Sequence, residues 1–251
     1  MRSYAIGDIH GHLDLLHAAH ARIEADRART GDHDAPVIHL GDLVDRGPDC
    51  AGVVAHLREG IAAGAPWVVL KGNHDRMFQS FLDDPHTPDP GLRRELSYLH
   101  PAIGGAATLQ SYGVAHPADR PVARVHADAL AAVPAADRAF IADRPLWHRR
   151  GEVLFVHAGI RPGVPLEAQV ETDLVWIRTP FLDDPRDHGF LVVHGHTAIH
   201  APAHHGNRVN IDTRAAYGGP LTAVVIEGRT VSVLTDNGRV PLRPGDGVSD
   251  D

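Results

Sequence analysis

The chain has one cysteine, Cys50, among 251 residues. No internal disulfide framework is possible, and the scarcity fits a reducing compartment, so a cytoplasmic protein is expected. No apolar stretch reaches transmembrane length. Met1 to Gly7 runs straight into a polar motif without the apolar core of a secretory signal, so neither a membrane nor export is expected. Long basic runs are missing too, and the formal net charge is -8. That is the reverse of the balance a non-specific nucleic-acid binder carries, so no nucleic-acid partner is expected. An anionic substrate then needs local positive charge, from metal ions or a few arginines. Internal repeats, low-complexity tracts and linkers are also lacking. One domain over residues 1–242 is therefore expected, with a frayed polar tail from Arg243 to Asp251. What is there, 43% hydrophobic and 22% charged residues, describes a soluble globular chain long enough to bury a core. The 20 histidines are an excess, but a count does not show metal binding.

The chain is organised around Gly41-Asp42-Leu43-Val44-Asp45-Arg46-Gly47. The apolar run Pro36 to Leu40 before it reads as a short buried strand. Asp42 falls where strand gives way to loop. Two carboxylates and a guanidinium within five residues suit a metal ion and a phosphate side by side, although an Asp-Arg pair in a loop is by itself a weak signal. Tyr4-Ala5-Ile6 reads as an earlier strand ending at Gly7-Asp8-Ile9-His10-Gly11-His12, with Asp8 and His10 on one side of an extended segment. Pro66 to Leu70 reads as a third, ending at Gly72-Asn73-His74-Asp75. Helical spacing lies between them, over 13–29 and about 49–62. This βαβαβ pattern predicts parallel strands whose C-terminal ends share one edge, where open α/β sheets place ligands.

Residues 76–150 are less regular and read as a helical insertion that could shape a groove, with helical patterns near 91–99, 121–131 and 134–143. Glu152 to Val156 reads as a strand ending at His157-Ala158-Gly159, and Phe190 to Val193 as one ending at His194-Gly195-His196-Thr197. Asp173 to Arg178 reads as a short amphipathic turn or helix. The rest is β-rich, with turns at Glu227-Gly228-Arg229 and Asp236-Asn237-Gly238. Five apolar strands thus each end in a glycine-flanked polar cluster. Carboxylate, amide and imidazole without thiolate suit borderline-hard divalent metals such as Mn, Fe or Zn. There are too many such groups for one tetrahedral zinc, and two ions roughly 3.5–4 Å apart account for them better.

Taken together, GDIHGH, GDLVDRG, GNHD, VHAG and HGHT, in that order, resemble the calcineurin-like metallophosphoesterases. Among these they are most similar to the small bacterial and phage PPP-type serine/threonine protein phosphatases. The resemblance spans residues 4 to about 226. It implies an α/β (α+β) fold of two facing mixed β-sheets flanked by helices, an αββα sandwich. It implies that Asp8, His10 and Asp42 hold one metal ion, and that Asp42, Asn73, His157 and His196 hold the other. Mn2+ is the first choice for both, with Fe or Zn as alternatives. Arg46 and Arg178 would clamp the phosphate, with Asn73 beside them. His74, oriented by Asp45, would protonate the leaving alkoxide, and a metal-bridging water would attack in line without a phosphoenzyme. The implied partner is a phosphoprotein or a phosphorylated small molecule, met by a monomer.

Several positions depart from the family pattern. Asp75 stands where these phosphatases usually carry Glu, as in symmetrical diadenosine tetraphosphatases; Asp45 argues the other way. Ala158 makes a small change in the His157 turn, and Arg214 stands where relatives typically have Gly. Arg214 is more readily a surface ion pair than a substrate contact, Tyr112 and Tyr217 are better read as packing, and Cys50 as core. A dinucleoside tetraphosphatase, a small-molecule phosphatase and a non-catalytic phosphopeptide-binding module remain as alternatives.

Overall fold

The structure is a computed structural model and describes residues 1–248. Strands β1 (Arg2–Ile6), β2 (Val37–His39) and β3 (Trp67–Val69) alternate with helices α1 (Leu13–Thr30) and α2 (Cys50–Ala62). The three strands are parallel: Ala5 lies opposite Ile38, and Ile38 opposite Val68. Helices α3 (Asn73–Asp83), α4 (Gly105–Ser111), α5 (Val122–Ala132) and α6 (Ala135–Ala142) follow. Then come β4 (Trp147–Arg150), β5 (Val153–Val156), α7 (Glu171–Trp176), β6 (Leu191–His194), β7 (Ala203–His204), β8 (Arg208–Asn210), β9 (Ala223–Glu227), β10 (Thr230–Thr235) and β11 (Gly238–Leu242). A six-stranded sheet runs β11-β10-β9-β1-β2-β3, and a five-stranded sheet runs β4-β5-β6-β8-β7. Both are mixed, because β9 pairs antiparallel with β1, and β4 with β5.

Strand alternation explains the layering. Ala5 and Ile38 of the first sheet pack with Val153, Phe155, Val193 and Val209 of the second. The alternate residues Tyr4 and Ile6 turn the other way, onto Leu16, Ile23, Val53 and Leu57 of α1 and α2. In β5, Leu154 and Val156 turn outward onto Ile160, Leu174 and Phe181. Strands covered on both faces read as unbroken apolar runs. The result is the two-sheet sandwich flanked by helices.

Some local readings are corrected. The helical pattern near 91–99 forms successive turns, with Leu92 N–H bonded to Asp89 and Leu96 N–H to Arg93, three residues back. His100 N–H likewise bonds Ser97, so the bonds here span three residues and close separate turns rather than an α-helix. Gly105–Ser111 is a further helix, outside the three patterns above; Gly104 precedes it in the left-handed region. Trp147–Arg150 is an edge strand rather than the end of a helical insertion, with Arg150 opposite Val153 across a turn at Gly151. Beyond Arg243, Gly245 N–H donates to the His204 carbonyl at 2.8 Å, and His204 N–H to Asp246 at 2.9 Å. Residues 249–251 of the tail lie outside the described residues. Among the described residues, no helix is long and apolar enough to cross a membrane.

Candidate active site

The ends of β1, β2, β3 and β6 converge on one cavity of about 380 Å³, and His157 at the end of β5 lies buried against its Asp42 and Asn73. Tight loops deliver the side chains. His10, Asp42, Asp45, Arg46 and His196 all have positive φ, between 46° and 72°, although none is glycine. Such strain persists where surrounding bonds over-determine it. Here the N–H groups of Ile9 and His10 both donate to the Asp42 carbonyl, at 3.1 and 2.8 Å. Glycine is required at two close approaches. A Cβ on Gly72 would strike the Asp42 carboxylate, and one on Gly195 the Asp8 carboxylate.

Asp42 is central. Its Oδ2 lies 3.4 Å from His10 Nε2, and its Oδ1 3.4 Å from His157 Nε2. The ring tautomers follow from the far side of each ring. His10 Nδ1 is 2.8 Å from the Val44 carbonyl, and His157 Nδ1 is 2.9 Å from the Leu40 carbonyl. A carbonyl only accepts, so both Nδ1 atoms carry the proton and both Nε2 atoms present lone pairs. Asn73 Oδ1 lies 2.9 Å from His157 Nε2 and 2.8 Å from His196 Nδ1. Lone pairs of His157, Asn73 and Asp42 therefore meet with no proton between them, an arrangement that a cation relieves. His196 Nε2 and Asp8 Oδ1 are buried with no hydrogen-bond partner. Burial pushes the imidazoles of His10, His157 and His196 below their ordinary range, which favours the neutral form that ligation requires. It pushes the Asp8 carboxyl up, with Asp212 and Asp42 adding repulsion. This donor set fits divalent cations.

Two buried sets have ligand atoms within 4.8 Å of one another: His10, Asp42 and His74, and Asp42, His157 and His196. Asp42 belongs to both, one carboxylate oxygen turned to each. Asp8 belongs to neither set. It lines the same cavity, with Oδ2 accepting the His196 N–H at 2.9 Å.

The dyad is formed: His74 Nδ1 donates to Asp45 Oδ2 at 2.7 Å, which leaves Nε2 facing His10 and the cavity. Asp45 Oδ1 also accepts Tyr98 Oη at 2.7 Å and Thr108 Oγ1 at 2.6 Å. Sequence reasoning missed both donors, which stand in the irregular segment without a local motif. The available signal was indirect, since a buried carboxylate needs donors. Asp75 joins two motif loops. Its Oδ1 accepts the Leu43 N–H at 2.9 Å and its Oδ2 the Gly72 N–H at 2.8 Å. Burial and the neighbouring Asp42 push its carboxyl up to about 7.

Arg46 and the exposed Arg178 line the cavity; Arg46 Nη1 is 2.8 Å from His10 Nε2. Leu92, Arg93, Leu96 and Ile103 form a wall from the insertion. That wall is pinned by buried Asp89, which accepts Arg76 through both oxygens at 2.6 Å and Trp176 Nε1 at 2.9 Å. Asp212 also lines the cavity, pushed up to about 6 first by burial. His194 is fully buried behind the site, 3.1 Å from the Gly195 carbonyl. Cys50 is core, its thiol pushed up to about 12 by burial. Tyr112 packs on Phe78 and bonds Asp137. Tyr217, by contrast, is 57% exposed at the cavity. Arg214 forms no ion pair among the described residues; its guanidinium lies 5.3 Å from the Tyr217 ring centroid.

Comparison with known proteins agrees with this architecture. A solved candidate diadenosine tetraphosphatase is 21% identical, with a TM-score of 0.60 covering 97% of this chain and 95% of that one. A cold-active protein-tyrosine phosphatase of a psychrophilic Shewanella species is 16% identical, with a TM-score of 0.61 over 96% of this chain and 80% of that one. A metallophosphoesterase from Sphaerobacter thermophilus is 19% identical, with a TM-score of 0.50 over 98% and 91%. At these identities the likeness is one of fold. No curated protein sequence matches the chain significantly. The profile of the calcineurin-like phosphoesterases matches residues 1–226, which takes in all five strand-end motifs and both candidate ligand sets, and the chain belongs to that family.

Proposed function

We propose that the chain is a metal-dependent phosphomonoesterase that removes phosphate from phosphoserine and phosphothreonine in proteins, acting as a cytoplasmic monomer. The observation that carries this reading is the His74–Asp45 pair, 2.7 Å apart and facing the cavity that Arg46 and Arg178 line. An alkoxide is a poor leaving group, so a positioned acid matters most for alkyl phosphates.

Asp8, His10 and Asp42 would hold one divalent cation, and Asp42, Asn73, His157 and His196 the other. The oxygen and imidazole donors suit Mn2+ first, with Fe or Zn as alternatives. When bound, two such ions supply Lewis acidity and an activated water. Arg46 and Arg178 take the phosphate oxygens through their planar forks. His74 Nε2 gives its proton to the leaving oxygen, while Asp45 holds the ring through Nδ1–H. No serine, threonine or cysteine lines the cavity among the described residues. The carboxylates and imidazoles that line it are assigned above to ligation and proton donation, so this reading takes water as the nucleophile, with direct displacement that would invert phosphorus.

A second reading keeps the site and changes the substrate to a symmetrical dinucleoside tetraphosphate. Asp75 favours it, as does likeness over nearly the full length of both chains to the candidate diadenosine tetraphosphatase. Its leaving nucleotide needs less protonation, which makes the complete acid dyad harder to account for. A non-catalytic module would have no use for the full set of ligands, arginines and dyad. The test is turnover of the manganese-loaded protein on a phosphothreonine peptide and on diadenosine tetraphosphate side by side. Phosphate release from the peptide alone supports the protein phosphatase; rapid cleavage of the dinucleotide to two ADP with a slow peptide reaction overturns it.

A further inference from the structure

Arg214 sits at φ 68, in a region that favours glycine, half-buried beside the active-site cavity. Its own turn enforces this conformation. The Arg214 N–H donates to Asp212 Oδ1 at 3.1 Å, and its carbonyl accepts the N–H groups of Tyr217 at 2.8 Å and Gly219 at 2.9 Å. The backbone is therefore fixed and strained, and it presents a side chain where none is needed for the turn. The guanidinium makes no hydrogen bond or ion pair among the described residues. It lies over Tyr217, 5.3 Å from the ring centroid, and so does Arg46. Tyr217 lines the cavity and is its exposed aromatic. Arg46, Tyr217 and Arg214 thus form a continuous path from the phosphate clamp outward. In a chain of net charge -8, this concentration of guanidinium at one opening runs against the overall sign. One phosphate monoester occupies Arg46 and Arg178, which leaves Arg214 unspoken for.

We infer that Arg214 and Tyr217 form an outer subsite for a second anionic side chain borne by the substrate beside its phosphorylated residue. The preferred substrates are acidic phosphopeptides, and this inference rests on the phosphoprotein reading above. Tyr217 holds the guanidinium by its ring face and shields it on one side, which strengthens its pairing with a carboxylate.

The experiment measures kcat/KM of the manganese-loaded full chain on phosphothreonine peptides with alanine flanks, and on the same peptides with a single aspartate walked through the flanking positions. At one or more positions, aspartate should raise kcat/KM by about 5- to 10-fold through KM, the size of one partly exposed charge-assisted contact. In Arg214→Gly and Arg214→Gln this ratio should fall to about 1. The glycine variant relieves the strained backbone, so folding is not at risk, and the glutamine variant keeps a side chain but not the charge. Hydrolysis of every peptide with flat ratios, or ratios that survive in both variants, overturns the subsite and leaves the phosphatase reading standing. Hydrolysis of p-nitrophenyl phosphate but of no peptide overturns both.

Discussion

Replacing Asp45 by Asn tests the acid assignment most directly. Asp45 is fully buried and accepts three side-chain donors, His74 Nδ1, Tyr98 Oη and Thr108 Oγ1, at 2.6 to 2.7 Å. An asparagine has one acceptor oxygen where the carboxylate has two. If that oxygen serves Tyr98 and Thr108, the amide NH2 faces His74 and forces its Nδ1 to accept. The ring then loses the charge opposite it when protonated. If the oxygen instead serves His74, the NH2 meets two hydroxyl donors. The second orientation mismatches a buried donor and costs about 1–3 kcal/mol of stability, while the first keeps the bonds and loses the charge that supports His74. General acid catalysis contributes about 10²- to 10⁴-fold, so kcat/KM on a phosphothreonine peptide should fall by about 10² or more. p-Nitrophenolate leaves as a stable anion, and its phosphate ester should lose only a few-fold. Parallel steady-state assays on the two substrates, with a urea midpoint to confirm folding, read both effects. Equal losses on the two substrates in a folded variant would refute the proton-donor role and recast Asp45 as a structural anchor.

The remaining expectations are simpler. Asp42→Asn should lower metal content per chain, measured by elemental analysis, and abolish phosphatase activity with it; full metal content with undiminished turnover would sink the shared-ligand assignment. Asp89→Ala leaves the buried Arg76 unpaired and should cost about 3–5 kcal/mol by chemical denaturation while raising peptide KM, because the wall at Leu92 and Trp176 loosens. His39 is fully buried beneath His20, with Trp67 and His56 alongside, and burial pushes it down to about 3. It stays neutral when folded, while the unfolded chain takes up its proton below about 6.5. Its contribution is present above pH 6.5 and lost as pH falls, at about 1.4 kcal/mol per unit. Urea unfolding at pH 7 and pH 5 should therefore show His39→Leu losing about 2 kcal/mol less than the parent; parallel losses would remove His39 from the account.

The site was legible in the sequence because its parts are local. An apolar run, then glycine, then a polar cluster is a strand ending in a tight loop wherever it occurs. Five such ends supplied Asp8, His10, Asp42, Asn73, His74, His157 and His196, all of which line or face the one cavity or its ligand sets. Helical periodicity between the first three strands was enough for parallel β1, β2 and β3. Other features had no local signature. Val153 to Val156 is apolar on both faces, so its composition is the same whichever sheet it joins. The pairing of β1 with β9 joins Arg2 to Glu227, across almost the whole chain. Trp147–Arg150 carries too little apolar alternation to read as a strand, and it becomes one because β5 offers it an edge. Tyr98 and Thr108 reach Asp45 from 53 and 63 residues away, and nothing near them in sequence marks them as donors. Backbone geometry and ligand chemistry are written in neighbouring residues. Which layer covers a strand, and which hydroxyl satisfies a buried carboxylate, depends on contacts made only when distant segments pack.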